Sequence, residues 1–263
     1  MYKIVQFCKH RWQAKTKHGV HSPFVFDFVT NVLPKQRSLS GNRIEALRRQ
    51  LLKSKCIVEI EDFGAGYNGE AQPIIRKTIR QVIQSSARRQ HEGELLRRIV
   101  QRYGPKQVLE LGTNLGFSTM YIQSSLAIER QCISIEGSKE LSKFAATHLA
   151  SMNLHATLLV GEFTEVLEKQ IDWKTFRPEF VLLDGNHREE ATLDYFEYLL
   201  PRLGANAILV LDDIYWSKGM TKAWKTIIRH PRVTVSIDLF DLGICFLDRN
   251  QAKEHFGIKT WAL

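Results

Sequence analysis

Cysteine is scarce in this sequence, and its four residues (Cys8, Cys56, Cys132, Cys245) are scattered. They form no CxxC pair and no close Cys/His cluster, which excludes a zinc ribbon and argues against a disulfide framework. A reducing cytoplasm is the compartment that such usage fits. No stretch approaches the ~18–20 apolar residues that a membrane span requires. The opening MYKIVQFCKHRWQAKTKHG is basic but lacks the apolar run of a secretory signal. Internal repeats and low-complexity tracts are also missing. So is the GxGxxG turn that cradles the pyrophosphate of a dinucleotide.

What is present is an ordinary globular composition: 263 residues, 44% hydrophobic and 25% charged. That length permits one large domain or two small ones, with enough buried surface to fold without staples. The formal net charge of +9 is unevenly placed. Residues 1–105 hold 20 Lys/Arg against 8 Asp/Glu, whereas residues 106–263 hold 17 against 20. Such asymmetry can mark a surface for nucleic acid, anionic lipid or an acidic substrate, or a solvated face. Interleaved aromatic stacking motifs are lacking, so the solvated face is the better reading.

Residues 22–33 (SPFVFDFVTNVL) read as a short helix opened by Ser22 with Pro23 at its first position. Residues 41–54 continue helically with Ile44, Leu47, Leu51 and Leu52 on one face. Residues 57–61 alternate as a strand would, ended by Gly64-Ala65-Gly66. Residues 71–83 are basic and read as helix. A further helix beginning near residue 85 stops at Gly104-Pro105. Short apolar strands then alternate with amphipathic helices. The strands are QVLEL (107–111), CISIE (132–136), ATLLV (156–160), FVLLD (180–184) and AILVLD (207–212). Near-continuous Val/Ile/Leu runs suit strands covered on both faces of a parallel sheet. The end differs: residues 233–240 and 243–248 are too close for a crossover helix and must pair as an antiparallel hairpin.

In open parallel sheets ligands bind outside the carboxyl ends of the strands. The first strand runs from Glu110 into Gly112-Thr113-Asn114-Leu115-Gly116-Phe117-Ser118, where Gly112 permits a tight turn and Gly116 a close helix start. The second ends in Glu136, placed to accept hydrogen bonds from both ribose hydroxyls of an adenosine. The third ends in Gly161-Glu162-Phe163, with Phe163 a candidate to stack on a base or to join the core. Asp184, Asn186 and His187 close the fourth, and Asp212-Asp213 the fifth. Three carboxylates on neighbouring strand ends repel one another unless a cation or proton intervenes. Oxygen ligands without cysteine suit Mg²⁺ or another hard divalent ion. His187 could accept a substrate proton. Helix capping by Asp184 and Asp212 is the alternative.

VLELGTNLGFSTMYI, ISIEGS, FVLLDGNH and LVLDDIYW resemble, in order and spacing, the cation-dependent O-methyltransferases of the catechol and caffeoyl-CoA type, and the bacterial class I methyltransferases related to them. The resemblance covers residues 90 to 248. It implies a Rossmann-like α/β fold with a mostly parallel seven-stranded sheet and a C-terminal antiparallel hairpin. Residues 85–263 would form the S-adenosylmethionine-binding domain, and residues 1–84 a basic, mainly helical extension or lid. It places S-adenosylmethionine on Glu110, Gly112, Thr113, Gly116, Ser118, Glu136, Gly161, Glu162, Phe163 and Asp184. It places a divalent cation on Asp184, Asp212 and Asp213. The family's usual asparagine is replaced by Asp213, and the family's basic lysine by His187, which with Asp184 would carry catalysis.

KHGVHSPFVFDFV and VEIEDFGAG are similar to N-terminal segments of uncharacterised methyltransferases from Bacteroidetes-type bacteria. There His18, His21 and Phe24 either close over the site or pack helices. The implied partner is a small-molecule hydroxyl acceptor, and bacterial relatives often form homodimers. Tyr215, Trp216 and Met220 are candidate lining for its pocket. Two other readings stay open. One is an RNA methyltransferase guided by the basic N-terminal region, against which stands the missing Asn/Asp-Pro-Pro-aromatic motif of amino-group methylases. The other is a non-catalytic S-adenosylmethionine-binding protein.

Overall fold

The computed structural model describes residues 1–34, 36–61, 74–86 and 88–259. In chain order its elements are α1 (Tyr2–Gln13), α2 (Pro23–Asp27), α3 (Leu39–Leu51), β1 (Ile57–Ile60), β2 (Ile75–Thr78), α4 (Ile79–Ser86), α5 (Gln90–Tyr103), β3 (Gln107–Leu111), α6 (Phe117–Gln123), β4 (Gln131–Glu136), α7 (Lys139–Ser151), β5 (Thr157–Val160), α8 (Phe163–Lys169), β6 (Phe180–Leu183), α9 (Glu189–Leu199), β7 (Ile208–Asp212), α10 (Lys218–Ile227), β8 (Val233–Asp238), β9 (Leu242–Leu247) and β10 (Glu254–Gly257). The glycine run 64–66, expected to end a strand, lies outside the described residues. Contacts divide the chain into two compact units, Met1–Pro34 with Trp173–Leu263, and Lys35–Asp172.

In the unit of residues 35–172, β3, β4 and β5 run parallel, with Val108 opposite Cys132 and Ile133 opposite Thr157. Their apolar side chains and those of the helices bury Ile44, Val58, Val82, Leu115, Met120 and Tyr121 in one core. Ser38 caps α3 by accepting from Gly41 N at 2.9 Å, and Ser138 caps α7 from Leu141 N at 3.4 Å. The stretch 71–83 departs from the expected helix. Residues 75–78 are a strand paired antiparallel with β1, Ile57 opposite Thr78, and the helix begins only at Ile79. Helical spacing and strand pairing compete over so short a run, and the pairing with β1 prevails.

In the other unit the strand order is β10-β8-β9-β7-β6. β6 and β7 are parallel, and β9 is antiparallel to both β7 and β8. The hairpin expected from the close spacing of residues 233–240 and 243–248 is therefore present, with a register shift between Val233 and Val235. All four residues of β6 and all six of β9 are buried, as doubly covered strands must be. β10 adds a strand to this unit beyond those expected from the sequence. Its sequence EHFG carries no alternating signal; main-chain pairing to β8 holds it, with Lys15 bridged to the following Ile258. Among the described residues no helix is long and apolar enough to cross a membrane.

Helix α1 went unread because its inward face is not apolar. It carries Lys3, Phe7 and His10. Phe7 meets the Phe240 ring edge-on at 5.1 Å. His10 is buried, and its Nε2 lies 3.1 Å from Asp238 Oδ1 and 3.2 Å from the Asp238 carbonyl. Asp238 also accepts from Tyr215 Oη at 2.6 Å and Phe240 N at 2.9 Å. Burial by itself would depress the His10 imidazolium, but the hydrogen bond and charge of Asp238 outweigh it and raise its pKa. Burial works the other way on Asp238, where His10 and Tyr215 hold the carboxyl below its ordinary value.

The signs set a pH window. A raised histidine contributes stability that is complete below its ordinary value of 6.5 and lost as pH rises through its folded value. A depressed aspartate contributes above its ordinary value of 3.8 and loses its contribution as pH falls through the folded one. His10→Gln should therefore melt below the wild type at pH 6, with the gap narrowing steadily as pH climbs above 6.5. Thermal melts of both proteins across this range check the expectation, and a gap that stays constant contradicts it.

Candidate functional site

In the unit of residues 35–172, the loop after β3 is fastened to the end of β4. Gly112 N and Thr113 N both donate to the Ile135 carbonyl, at 2.9 and 3.2 Å. Asn114 N donates to Glu136 Oε2 at 2.6 Å, and Ser138 N to Glu136 Oε1 at 2.9 Å. Gly161 N, after β5, donates to the Glu136 carbonyl at 3.0 Å. The end of β4 thus gathers the starts of the loops on either side of it. Gly112 has φ +104° and Gly116 φ +81°, backbone that an L side chain enters only with strain. A Cβ at Gly116 would also stand 3.1 Å from Ala145 Cβ.

Beneath the loop lies a buried carboxylate. Glu110 has no exposure. Its Oε2 accepts from Thr119 Oγ1 at 2.5 Å and Ser134 Oγ at 2.6 Å, and Ser134 in turn meets Thr113 Oγ1 at 2.5 Å. Burial pushes the Glu110 carboxyl up, against the hydroxyls of Ser118, Ser134 and Thr119 and the charge of Arg88. Oε1 is nevertheless left without a well-formed hydrogen bond among the described residues. A buried acceptor that lacks a full partner is costly, and it is what a site for a cationic or hydrogen-bond-donating ligand group provides.

Of the other residues expected near an adenosine, Gly161 has φ +148°. Glu162 caps α8, accepting from Glu165 N at 3.0 Å and Thr164 Oγ1 at 3.3 Å. Phe163 is half-buried at the first position of that helix.

In the other unit, Asp184, His187 and Asp212 converge: one ligand atom from each lies within 4.8 Å of the others, and all three are partly exposed. β6 and β7, parallel neighbours, deliver the two aspartates. Asn186, at φ +48°, bends the turn that brings His187 back. Two carboxylates and an imidazole form a donor set suited to a divalent cation. Asp213 does not join them. It sits at φ +50° with its N–H on the Asp241 carbonyl, and its carboxylate accepts from Lys3 Nζ at 2.9 Å. Lys3 also lies 3.3 Å from Asp241 Oδ1. The reversed backbone at Asp213 turns its side chain toward α1, a partner no sequence spacing announces.

Met220 is buried, its sulfur taking the Thr192 hydroxyl at 3.3 Å, and Tyr215 is committed to Asp238. Trp216 is exposed. Phe24 packs edge-on against Phe246 at 4.8 Å, while His18 and His21 are exposed. Sequence reasoning missed Ser134 and Thr119, although a serine inside the apolar run CISIE was a usable signal. It also missed Lys3, for which there was none.

Residues 109–214 match the family described as a methyltransferase domain. That stretch, similar to a methyltransferase domain, runs from β3 to just past β7 on a Rossmann-like arrangement of strands and helices. Among solved structures it is similar to the O-methyltransferase TomG from Streptomyces achromogenes, involved in tomaymycin synthesis and solved with SAM (15% identity, 85% of this chain and 96% of that one, TM-score 0.58). It is also similar to an O-methyltransferase from Bacillus cereus in complex with SAH (17% identity, 86% and 97%, TM-score 0.55). The SAH-bound methyltransferase PaMTH1 from Podospora anserina is a third (12% identity, 88% and 98%, TM-score 0.59). At such identities the likeness establishes the fold alone. Among curated proteins, none matches the chain.

Gly116→Ala tests the loop geometry. The left-handed backbone alone costs an L residue roughly 1–2 kcal/mol, which lowers the melting temperature by about 2–8 °C in a chain of this size. A thermal melt equal to that of the wild type would contradict the assigned conformation.

Proposed function

We propose that the chain is an S-adenosylmethionine-dependent O-methyltransferase that acts on a small hydroxyl compound with the help of a divalent cation. The observation that carries this reading is the convergence of Asp184, His187 and Asp212 in a chain whose residues 109–214 match a methyltransferase domain. The donor follows from the neighbours solved with SAM or SAH, and from the fit of the loop that contains Gly112 and Gly116. The free cysteines suit a reducing cytoplasm.

When bound, the donor supplies an activated methyl group and the cation makes the acceptor hydroxyl more acidic. The chain's own residues hold, orient and deprotonate. The loop Gly112–Ser118 receives the methionine end of the donor, with Glu110 below it offering an acceptor oxygen that lacks a full partner. Glu136 keeps the loop in shape through Asn114 and takes the ribose hydroxyls on its remaining lone pairs. Gly161, Glu162 and Phe163 border the base. Asp184 and Asp212 would hold the cation, and His187, beside them, would take the acceptor's proton rather than ligate. Asp213 stays with Lys3 and serves to fasten α1. Alignment of the two reactants contributes up to roughly 7–11 kcal/mol in favourable cases, which is why fixed loops matter more here than reactive side chains.

Calorimetry with S-adenosylmethionine and S-adenosylhomocysteine should show binding of both, and absence of both signals rejects the reading. Glu136→Gln should weaken either ligand by about tenfold or more, since one charge-assisted hydrogen bond is lost. Asp212→Asn should leave S-adenosylhomocysteine binding unchanged but remove Mg²⁺-dependent methyl transfer to phenolic acceptors, and Asp184→Asn should remove that transfer as well. His187→Ala should lower that transfer by about a hundredfold or more. Full turnover in the presence of EDTA would discard the cation and keep the methyl donor.

A further inference from the structure

Helix α1 has two faces with different occupants. Lys3, Phe7 and His10 point into their own unit, onto Asp213, Phe240 and Asp238. Ala14, which follows the helix, is buried, and Lys15 N donates to the Gly257 carbonyl at 2.7 Å. The helix is therefore held along its length and at its end. At ~100° per residue, Ile4, Val5, Cys8 and Trp12 fall on one stripe roughly 100° wide on the side away from those anchors. That stripe is open to solvent: Ile4 is 69% exposed, Val5 45% and Trp12 84%, and Cys8 is exposed. Lys9 lies along one border of the stripe and Arg11 along the other, both exposed.

The charged residues of this stretch of the sequence are of one sign. Residues 1–26 contain five Lys/Arg (Lys3, Lys9, Arg11, Lys15, Lys17) and no Asp or Glu, the first acid being Asp27. Lys15 and Lys17, just past the helix, are exposed as well. A fixed helix with an apolar stripe, a terminal tryptophan and lysine and arginine along both margins matches the boundary of an anionic bilayer. There the stripe enters the acyl region while the basic side chains reach the headgroups. RNA would use the cations but leave Ile4 and Val5 in water. A second copy of the chain would bring the same positive charges face to face.

We infer that the outer face of α1 is a docking surface for membranes rich in anionic lipid, which would hold the protein at a bilayer surface. The inference is independent of the methyl-transfer reading, because it rests on a different face and its test has no catalytic readout. The same helix is joined through Lys3 to Asp213, next to Asp212, so the docked element and the acidic cluster belong to one unit.

The test uses the whole chain with vesicles of phosphatidylcholine alone or mixed with phosphatidylglycerol, followed by flotation and by quenching of tryptophan emission with brominated lipid. The protein should float with the anionic vesicles only, release as salt rises, and show quenching that is lost in Trp12→Phe. The double variant Ile4→Glu/Trp12→Glu changes only exposed positions. It should keep the wild-type circular dichroism and melting temperature and lose partitioning by about tenfold or more. Lys9→Glu/Arg11→Glu should lose binding likewise. Absence of flotation at low salt overturns the proposal, as does unchanged binding of the Ile4/Trp12 variant. Two other results assign the face elsewhere and equally overturn it: salt-sensitive binding to transfer RNA with no vesicle binding, or a dimer seen by light scattering that the Ile4/Trp12 variant dissociates.

Discussion

Five main-chain N–H groups from three loops find their acceptors on two residues at the end of one strand. Ile135 takes Gly112 and Thr113 on its carbonyl, and Glu136 takes Gly161 on its carbonyl and Asn114 and Ser138 on its carboxylate. Loops that leave parallel strands turn their backbone away from the sheet ladder, so each such N–H needs a partner elsewhere. Supplying those partners from one place makes the loop conformations interdependent. The positive φ angles of Gly112, Asn114 and Gly116 follow from that constraint. The proposed donor site consists of the surface so fixed. Glu136 shapes the loop through one set of lone pairs, and in the proposed site another set would meet the ribose.

Below this hub lies the buried carboxyl of Glu110. Three hydroxyls, from Thr119, Ser134 and Ser118, oppose the cost of its burial, yet one oxygen is left incompletely satisfied. A fully satisfied carboxylate would add only rigidity. An incompletely satisfied one retains affinity for a ligand group that can complete it, and this is consistent with its position beneath the turn.

The other unit solves a parallel problem around Asp238. His10, Tyr215 and Phe240 N all converge on its carboxylate. Through His10 the node secures α1, and through Tyr215 it secures the segment after β7. Lys3, one face of the same helix, keeps Asp213 occupied. The acidic cluster is accordingly Asp184, His187 and Asp212, with Asp213 held aside. Fixing the inner face of α1 also leaves its outer face with nothing of its own unit to cover, which is the physical origin of the exposed stripe.

Much of the sheet was readable because buried parallel strands are nearly continuous apolar runs: QVLEL, CISIE, FVLLD and ILVLD have no other comfortable place. The closing hairpin followed from the shortness of the connection between its two strands, and the glycines at 112 and 116 from the turn that a strand-to-helix reversal demands. Acids at Glu136, Asp184 and Asp212 could be assigned to strand ends for the same reason. Short or polar elements were not readable in this way. β2 and β10 exist because a neighbouring strand supplies hydrogen bonds, and α1 because its inward face meets opposite charge. Neither cause leaves a period in the sequence. The direction of a side chain at a strand end was also beyond it. Asp212 and Asp213 are adjacent identical residues, and only the backbone reversal at φ +50° sends one to the cluster and the other to Lys3, 210 positions earlier in the chain. Composition and periodicity decide which residues are buried and where strands end; which carboxylate meets which cation is decided by the folded backbone, because that choice depends on distances no local pattern encodes.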